Sequence, residues 1–413
     1  MSDLFHLGCP ICRRRFSGEA TTICPACFYP TSITYDLDAV RQRISHEAVQ
    51  ARPRDIWRYQ ELLPVTPGAG GLAGVGWTPL IPAPRLGRKL GSGDVLLKDD
   101  AACFPTLSFK DRVVAVALAA ARELGYGVVG CASTGNLANA VAAQAARAGL
   151  TSWILVPADL EAAKLLGTAV YGAHLVRVAG TYDQVNRLCL EISERHGWGF
   201  VNVNLRPFYA EGSKTVAFEI AEQLGWRLPD NVVVPMAGGS QLTRIARGFQ
   251  ELVDVGLVPA HPVRIFGAQA EGCSPIVTAF LEGSRQVVPQ VPQTICRSLA
   301  IGDPADGYTA LEAMNSSGGG AGLASDPEIR QGIRILAESE GILGETAAGV
   351  TVAVAGRLLA EGRIGAGDTT VLCITGNGLK TLECLDGHLD LGAPLDPSMA
   401  AFEARHAQLA GAA

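Results

Sequence analysis

Four times in this chain a short apolar run ends in a loop rich in small or hydroxyl-bearing residues, and that recurrence constrains the fold most. Val95-Leu96-Leu97-Lys98 leads into Phe104-Pro105-Thr106-Leu107-Ser108-Phe109-Lys110-Asp111-Arg112. Val128-Val129-Gly130-Cys131 leads into Ser133-Thr134-Gly135-Asn136, and Val232-Val233-Val234-Pro235 into Ala237-Gly238-Gly239-Ser240-Gln241. Val371-Leu372-Cys373-Ile374 leads into Thr375-Gly376-Asn377-Gly378. Runs of this length, bounded by such loops, read as strands. Further strand candidates lie at residues 153–156, 174–178, 200–203 and 264–268. Helix candidates lie at residues 113–122, 138–148, 162–171 and 182–196. The alternation predicts an α/β chain, with parallel sheets covered by helices on both faces.

Lys110 stands out among these junctions. It follows a strand candidate and opens an apolar, Ala-rich helix candidate, with Ser108 as the expected N-cap. Helix-start N–H groups and burial both disfavour a charged amine, and such an amine suits Schiff-base chemistry. A solvated surface lysine is the competing reading. The loop 237–241 suits an anion, because small residues let backbone N–H groups approach it and the next helix adds its positive end. A plain strand-to-helix turn is the competing reading. Ser133, Thr134, Gly135 and Asn136 are open to the same two readings, as caps or as ligands.

One lysine and three small-residue loops, in this order, resemble pyridoxal-phosphate enzymes of the tryptophan-synthase-β type (fold type II). The segments Ser-Phe-Lys-Asp-Arg, Ala-Ser-Thr-Gly-Asn, Glu211-Gly212-Ser213-Lys214-Thr215 and Thr-Gly-Asn-Gly-Leu-Lys look more closely like the threonine synthase family, from about Trp77 to Leu385. The resemblance implies two parallel-sheet α/β domains, a small one at 119–211 inserted into a large one at 37–118 and 212–413. It implies that Lys110 binds the cofactor covalently and moves protons, and that Ala237, Gly238, Gly239, Ser240 and Gln241 cradle the phosphate. It makes Thr375 the pyridine-nitrogen partner and Asn136 the phenolic-oxygen partner. Ser133, Thr134 and Gly135 would grip the substrate carboxylate.

The implied reaction is O-phospho-L-homoserine plus water giving L-threonine and phosphate. Lys98, Arg206 and Lys214 are the candidate ligands for the substrate phosphate. Pairing with Asp99, Asp100 and Glu211 is the other reading of these cations. Three departures from the family pattern bear on the substrate. Ser240 and Gln241 stand where asparagines are usual. Ala300-Ile301-Gly302-Asp303-Pro304 lacks a preceding arginine, and Glu345-Thr346-Ala347-Ala348-Gly349-Val350 differs from the family's Glu-Pro-Ala-Ser-Ala-Ala. These keep alive replacement on O-phosphoserine or a related serine ester, as in the cysteate synthase branch. Threonine or serine deamination is a further alternative, and a pseudoenzyme with an interaction module is the non-enzyme one.

Residues 1–36 carry a different signal. Cys9-Pro-Ile-Cys12 and Cys24-Pro-Ala-Cys27 are two C-x-x-C knuckles, which suit a structural Zn²⁺ on four thiolates in a zinc-ribbon-like extension. Reduced, metal-free thiols are the alternative. The other seven of the 11 cysteines read as small buried hydrophobes. With 48% apolar and 18% charged residues and a net charge of −6, the chain is expected to be globular and a poor nucleic-acid binder. Without a signal-like start or a membrane-length apolar stretch, a cytoplasmic location is expected. The expected partners are a small phosphorylated amino acid and a second copy of the chain, with no membrane.

Overall fold

The computed structural model describes residues 4–16, 22–65, 72–91, 93–133, 135–158, 162–179 and 182–410. The chain divides into two compact units, Met1–Lys380 and Thr381–Ala413. In the second, a helix at Met399–Ala410 buries no residue. The large part was expected to run to residue 413. The stretch 386–398 is exposed throughout, its Leu389, Leu391 and Leu395 included, and carries Gly387, Gly392, Pro394 and Pro397.

Among its described residues the first unit holds three sheets. A small antiparallel sheet joins β1 (Phe5–Gly8), β2 (Arg15–Phe16) and β3 (Ser32–Tyr35) in the order β2-β1-β3. The six-stranded sheet uses β4 (Leu80–Pro82), β5 (Val95–Asp99), β10 (Asn231–Pro235), β11 (Arg264–Ala270), β12 (Gly320–Ala324) and β13 (Thr370–Ile374). Its order is β12-β11-β10-β13-β5-β4, and only β4 runs antiparallel. The four-stranded parallel sheet takes every strand from one stretch: β6 (Val128–Ala132), β7 (Thr151–Pro157), β8 (His174–Val178) and β9 (Gly199–Phe200), in the order β8-β7-β6-β9. Every residue of β5, β10 and β13 is buried. Helices cover both faces of such central strands, which is why they read as unbroken apolar runs.

The strand expected at 200–203 shortens to Gly199–Phe200. Asn204 Oδ1 accepts the Phe200 N–H at 2.7 Å, and Asn202 Oδ1 accepts the Ala132 N–H at 3.3 Å. These side chains take the place of ladder partners and turn the chain out of the sheet.

Seven helices position the residues singled out by sequence. They are α1 (Lys110–Glu123), α2 (Asn136–Ala148), α3 (Arg206–Glu211), α4 (Lys214–Gln223), α5 (Ser240–Asp254), α6 (Gly307–Ser316) and α7 (Thr346–Ala360). From Asp111 to Ala121, α1 is buried without interruption, packed against α2 and α3. Its Ala-rich composition allows that close approach on every side. α7 lies across β10 to β13. The loops entering α1, α2 and α5, and the loop after β13, all lie at the C-terminal ends of parallel strands, where open α/β sheets bind their ligands.

Candidate active site

Lys110 is the first residue of α1. Phe109 donates its N–H to the Thr375 carbonyl at 2.8 Å, and Ser108 bridges to Gly376, so the lysine is fixed against the end of β13. Ser108 does not cap the helix as expected; its buried Oγ has no hydrogen-bond partner among the described residues. Asp111 organises the turn instead, accepting the Thr106 N–H at 2.9 Å and the Thr106 hydroxyl at 2.8 Å. Burial pushes the Asp111 carboxyl up to about 6 despite these bonds.

Arg112 anchors the same turn from below. Its guanidinium reaches Asp100 at 2.8 Å and Glu219 at 2.5 Å, with all three side chains 3% exposed or less. Lys98 belongs to this cluster. Its ammonium donates to Glu219 Oε2 (2.7 Å), the Thr78 carbonyl (2.7 Å) and Gln223 Oε1 (2.9 Å). An ammonium has three protons, and these three acceptors take them all. Lys98 therefore has none left for a substrate, contrary to its expected role. The same holds for Lys214. It is fully buried, bridges Glu251 at 2.6 Å and Glu211 at 2.8 Å, and lies 4.0 Å from the centre of the Tyr35 ring. Both lysines hold α4 in the core.

The Lys110 ammonium is half-buried and donates to Tyr209 Oη at 3.1 Å. Asn136, at the start of α2, donates its amide to Glu345 Oε2 at 2.9 Å. The Glu345 carboxyl is 3% exposed, and burial pushes it up. Lys380, Asn136, Lys110 and a hydrogen bond from Thr375 oppose that rise. Lys380 in turn donates to the carbonyls of Thr106 and Leu107, both at 2.9 Å. Lys110, Asn136 and Thr375 thus gather around one buried carboxylate.

The 237–241 loop runs from β10 into α5. Gly239 has φ +91°, a conformation in which a side chain is strained, and a Cβ there would meet Ala310 Cβ and the Asp306 carbonyl at 3.0 Å. A Cβ on Gly238 would meet nothing within 4 Å. Open space over a glycine, at the N-terminus of a 15-residue helix, fits a phosphate-sized anion. Ser240 and Gln241 form the first turn of α5, half-buried beside that space. The Asp306 N–H donates to the Gly238 carbonyl at 3.1 Å, and Arg206 pairs with the Asp306 carboxylate at 2.8 Å. Arg206 therefore stands next to the loop with its charge shared. Ser133 follows β6 with its N–H on the Leu155 carbonyl at 3.3 Å, Gly135 is exposed ahead of α2, and Thr134 lies outside the described residues.

Sequence reasoning missed three residues. Tyr209 gave no signal beyond its place in a short segment before Glu211-Gly212. Asp306 lies after an unremarkable Pro-Ala pair. Glu345 was readable as a single acid ahead of a 15-residue apolar helix, a poor place for an unpaired charge.

The cysteines of residues 9–27 come together as their spacing predicts. The four Sγ atoms lie within 4.8 Å of one another, and Cys12 and Cys24 are 3.7 Å apart. A tetrahedron with Zn–S bonds of about 2.3 Å has edges of about 3.8 Å, so the cage fits the ion. Burial raises the Cys24 thiol, but hydrogen bonds from the Ala26 and Cys27 backbone and from the Cys9 and Cys12 side chains together bring it to about 7.

Residues 72–376 match the family described as pyridoxal-phosphate dependent enzyme. Threonine synthase of Methanocaldococcus jannaschii is 37% identical over 351 residues, 84% of this chain and 86% of that protein. Threonine synthase of Methanosarcina acetivorans is 34% identical over 380 residues, 91% and 92% of the two chains. Among solved structures, threonine deaminase isoform 2 of Solanum lycopersicum superposes with a TM-score of 0.64 at 22% identity, over 78% of this chain and 86% of that one. Maize serine racemase gives 0.63 at 19%, over 91% and 98%. At such identities the structures speak for the fold alone, which is that of the fold type II enzymes. An amine-bearing helix start, an open glycine loop and relatives matched along most of their length lead to one conclusion: this chain is a pyridoxal-phosphate dependent enzyme of the threonine synthase family.

Proposed function

We propose that the chain converts O-phospho-L-homoserine and water to L-threonine and phosphate, as a phosphate-releasing carbon–oxygen lyase. The observation that carries the reading is the placement of Lys110 beside Thr375, with Tyr209 at its amine. Matches of 34–37% identity to threonine synthases over most of the chain support it. Pyridoxal phosphate, when bound, supplies an electron sink for the bonds at the substrate's α-carbon.

The protein's part follows from its own residues. Lys110 offers the amine for the cofactor aldehyde and, once released by substrate, a base for carbon-bound protons. The N–H groups of 237–241 and the start of α5 hold the phosphate. Thr375 presents a hydroxyl to the ring nitrogen. A hydroxyl holds a pyridinium less firmly than an aspartate does, which favours elimination and replacement over transamination. Asn136 donates to the phenolic oxygen by turning from Glu345. Ser133, Thr134 and Gly135 receive the substrate carboxylate at the N-terminal end of α2. Arg206 is the remaining candidate for the substrate phosphate, released from Asp306 when a stronger anion arrives.

Cys9, Cys12, Cys24 and Cys27 hold a structural Zn²⁺ in the same proposal. All four positions are needed to close the tetrahedron, which leaves none for chemistry. The domain boundaries near residues 36, 118 and 211 rest on the three sheets being drawn from separate stretches. Among the described residues no helix is long and apolar enough to cross a membrane; a cytoplasmic location is part of the same proposal.

The test is phosphate release from O-phospho-L-homoserine beside O-phospho-L-serine, with and without sulfite. Threonine formed in step with phosphate from the first substrate supports the proposal. A preference for O-phospho-L-serine with sulfite moves the chain to the cysteate synthase branch. Turnover of threonine or serine alone makes it a deaminase.

A further inference from the structure

We propose that Tyr209 is the second proton-handling residue of the site, and that it delivers to the departing oxygen of the substrate the proton that Lys110 removes from carbon. The proposal rests on Lys110 being the cofactor-binding amine and carbon base.

Tyr209 sits in α3, a helix held on several sides. Phe208 and Ala210 are buried, and Glu211 is locked by Lys214 and Arg244. The Tyr209 N–H donates to the Leu205 carbonyl at 2.9 Å. Three residues earlier, on the same side of the helix, Arg206 reaches Asp306 and through it the glycine loop. Through Arg206 and Tyr209, α3 thus reaches both the glycine loop and the Lys110 amine, and the Tyr209 hydroxyl stands at the amine end of the site.

A phenol accepts and donates at once. Here the accepting side is taken by the Lys110 ammonium at 3.1 Å. Among the described residues no group accepts the Tyr209 hydroxyl proton, which leaves it for a bound ligand. Glu345, the other acid of the site, is turned to Asn136 and Thr375, and its role is on that side.

The steps balance without an outside reagent. Lys110 takes a proton from a substrate carbon and becomes an ammonium. The carbon–oxygen bond breaks with its electron pair going to oxygen, which takes the Tyr209 proton. The phenolate then receives a proton from the Lys110 ammonium, and both residues are restored. The relay matters for leaving groups that must be protonated and not for those that leave as stable anions.

That difference is the test. L-serine and β-chloro-L-alanine lose oxygen and chlorine from the same carbon, and chloride needs no proton. In the holoenzyme, Tyr209→Phe is expected to slow loss of the serine hydroxyl by about 100-fold or more, in the range of general acid catalysis. Chloride loss is expected to fall less than about tenfold, with exchange of the α-hydrogen retained. On the unaltered enzyme, D₂O should slow hydroxyl loss more than chloride loss, which reads the relay even where the variant binds cofactor poorly. Outside turnover, in cofactor-stripped protein, labelling of Lys110 by an amine-directed reagent should change severalfold in Tyr209→Phe. Equal losses for oxygen and chloride would make Tyr209 structural. Unchanged labelling with no isotope difference between the two substrates would remove it from the proton path. If the unaltered enzyme releases no phosphate from O-phospho-L-homoserine, the substrate reading fails while the serine and chloroalanine comparison still decides the role of Tyr209.

Discussion

Glu219→Gln is expected to destabilise the protein by about 3 kcal/mol or more. Glu219 is fully buried and accepts bonds from Arg112, Lys98 and the N–H groups of Trp77 and Thr78. Burial alone would raise its carboxyl, but Arg112 and Lys98 overcome that and bring it from 4.5 to about 2. A shift of that size corresponds to roughly 3 kcal/mol, at 1.36 kcal/mol per unit. Removing one partner of a buried ion pair costs roughly 3–5 kcal/mol, so the two routes agree. Against a total stability of about 5–15 kcal/mol, the loss is a large share. The assay is urea unfolding at pH 7, followed by circular dichroism and by tryptophan fluorescence. Glu191→Gln serves as the control, because its pair with Arg187 is exposed and worth about 0.5 kcal/mol or less. The sign with pH is fixed as well. The folded carboxyl lies below its unfolded value, so the contribution is complete above about 4.5 and is lost as pH falls towards 2. A urea midpoint for Glu219→Gln matching that of Glu191→Gln would refute this reasoning.

Three further outcomes are expected. Borohydride reduction should trap the cofactor on Lys110, and Lys110→Ala should abolish that trapping while some cofactor still binds; trapping on another lysine would reassign the site. Metal analysis of protein purified under reducing conditions without chelators should find about one Zn²⁺ per chain, and none in Cys24→Ser. Gly239→Ala should weaken cofactor affinity by about tenfold or more in equilibrium dialysis, because φ is +91° and the new Cβ meets Ala310 and Asp306; wild-type affinity would mean that this loop does not hold the phosphate.

The parallel strands were legible because burial on both faces leaves a run such as Val-Val-Val or Val-Leu-Cys-Ile with no polar alternation to misread. The convergence of Lys110, Asn136 and Thr375 on one carboxylate was legible because each sits at a strand end, where a small-residue loop breaks an apolar run. The cation roles were not. Lys98, Lys214 and Arg206 carry the same charge in sequence, and only packing shows that the first two face fully buried carboxylates and the third the half-buried carboxylate of Asp306. Tyr209 and Glu345 reach the lysine across about 100 and 235 residues of chain, a pairing that local pattern does not encode. Ser108 misled for a different reason. Its type suits a cap, but Asp111 was better placed to take the free N–H groups of the turn.

The small antiparallel sheet has a practical consequence for anyone choosing where to start an expressed chain. Composition suggests a cut after residue 36, as though the cysteine knuckles were a detachable appendage. Yet β3 packs on α3, and the Tyr35 ring covers the Lys214 ammonium at 4.0 Å. Tyr29 bonds to Thr309, one helical turn beyond the glycine loop's partner Asp306. A shortened chain would open Lys214, Glu211 and Glu251 to water and take away the wall behind the helix that carries Tyr209. The truncation that composition invites for crystallisation is therefore the one that would spoil the enzyme.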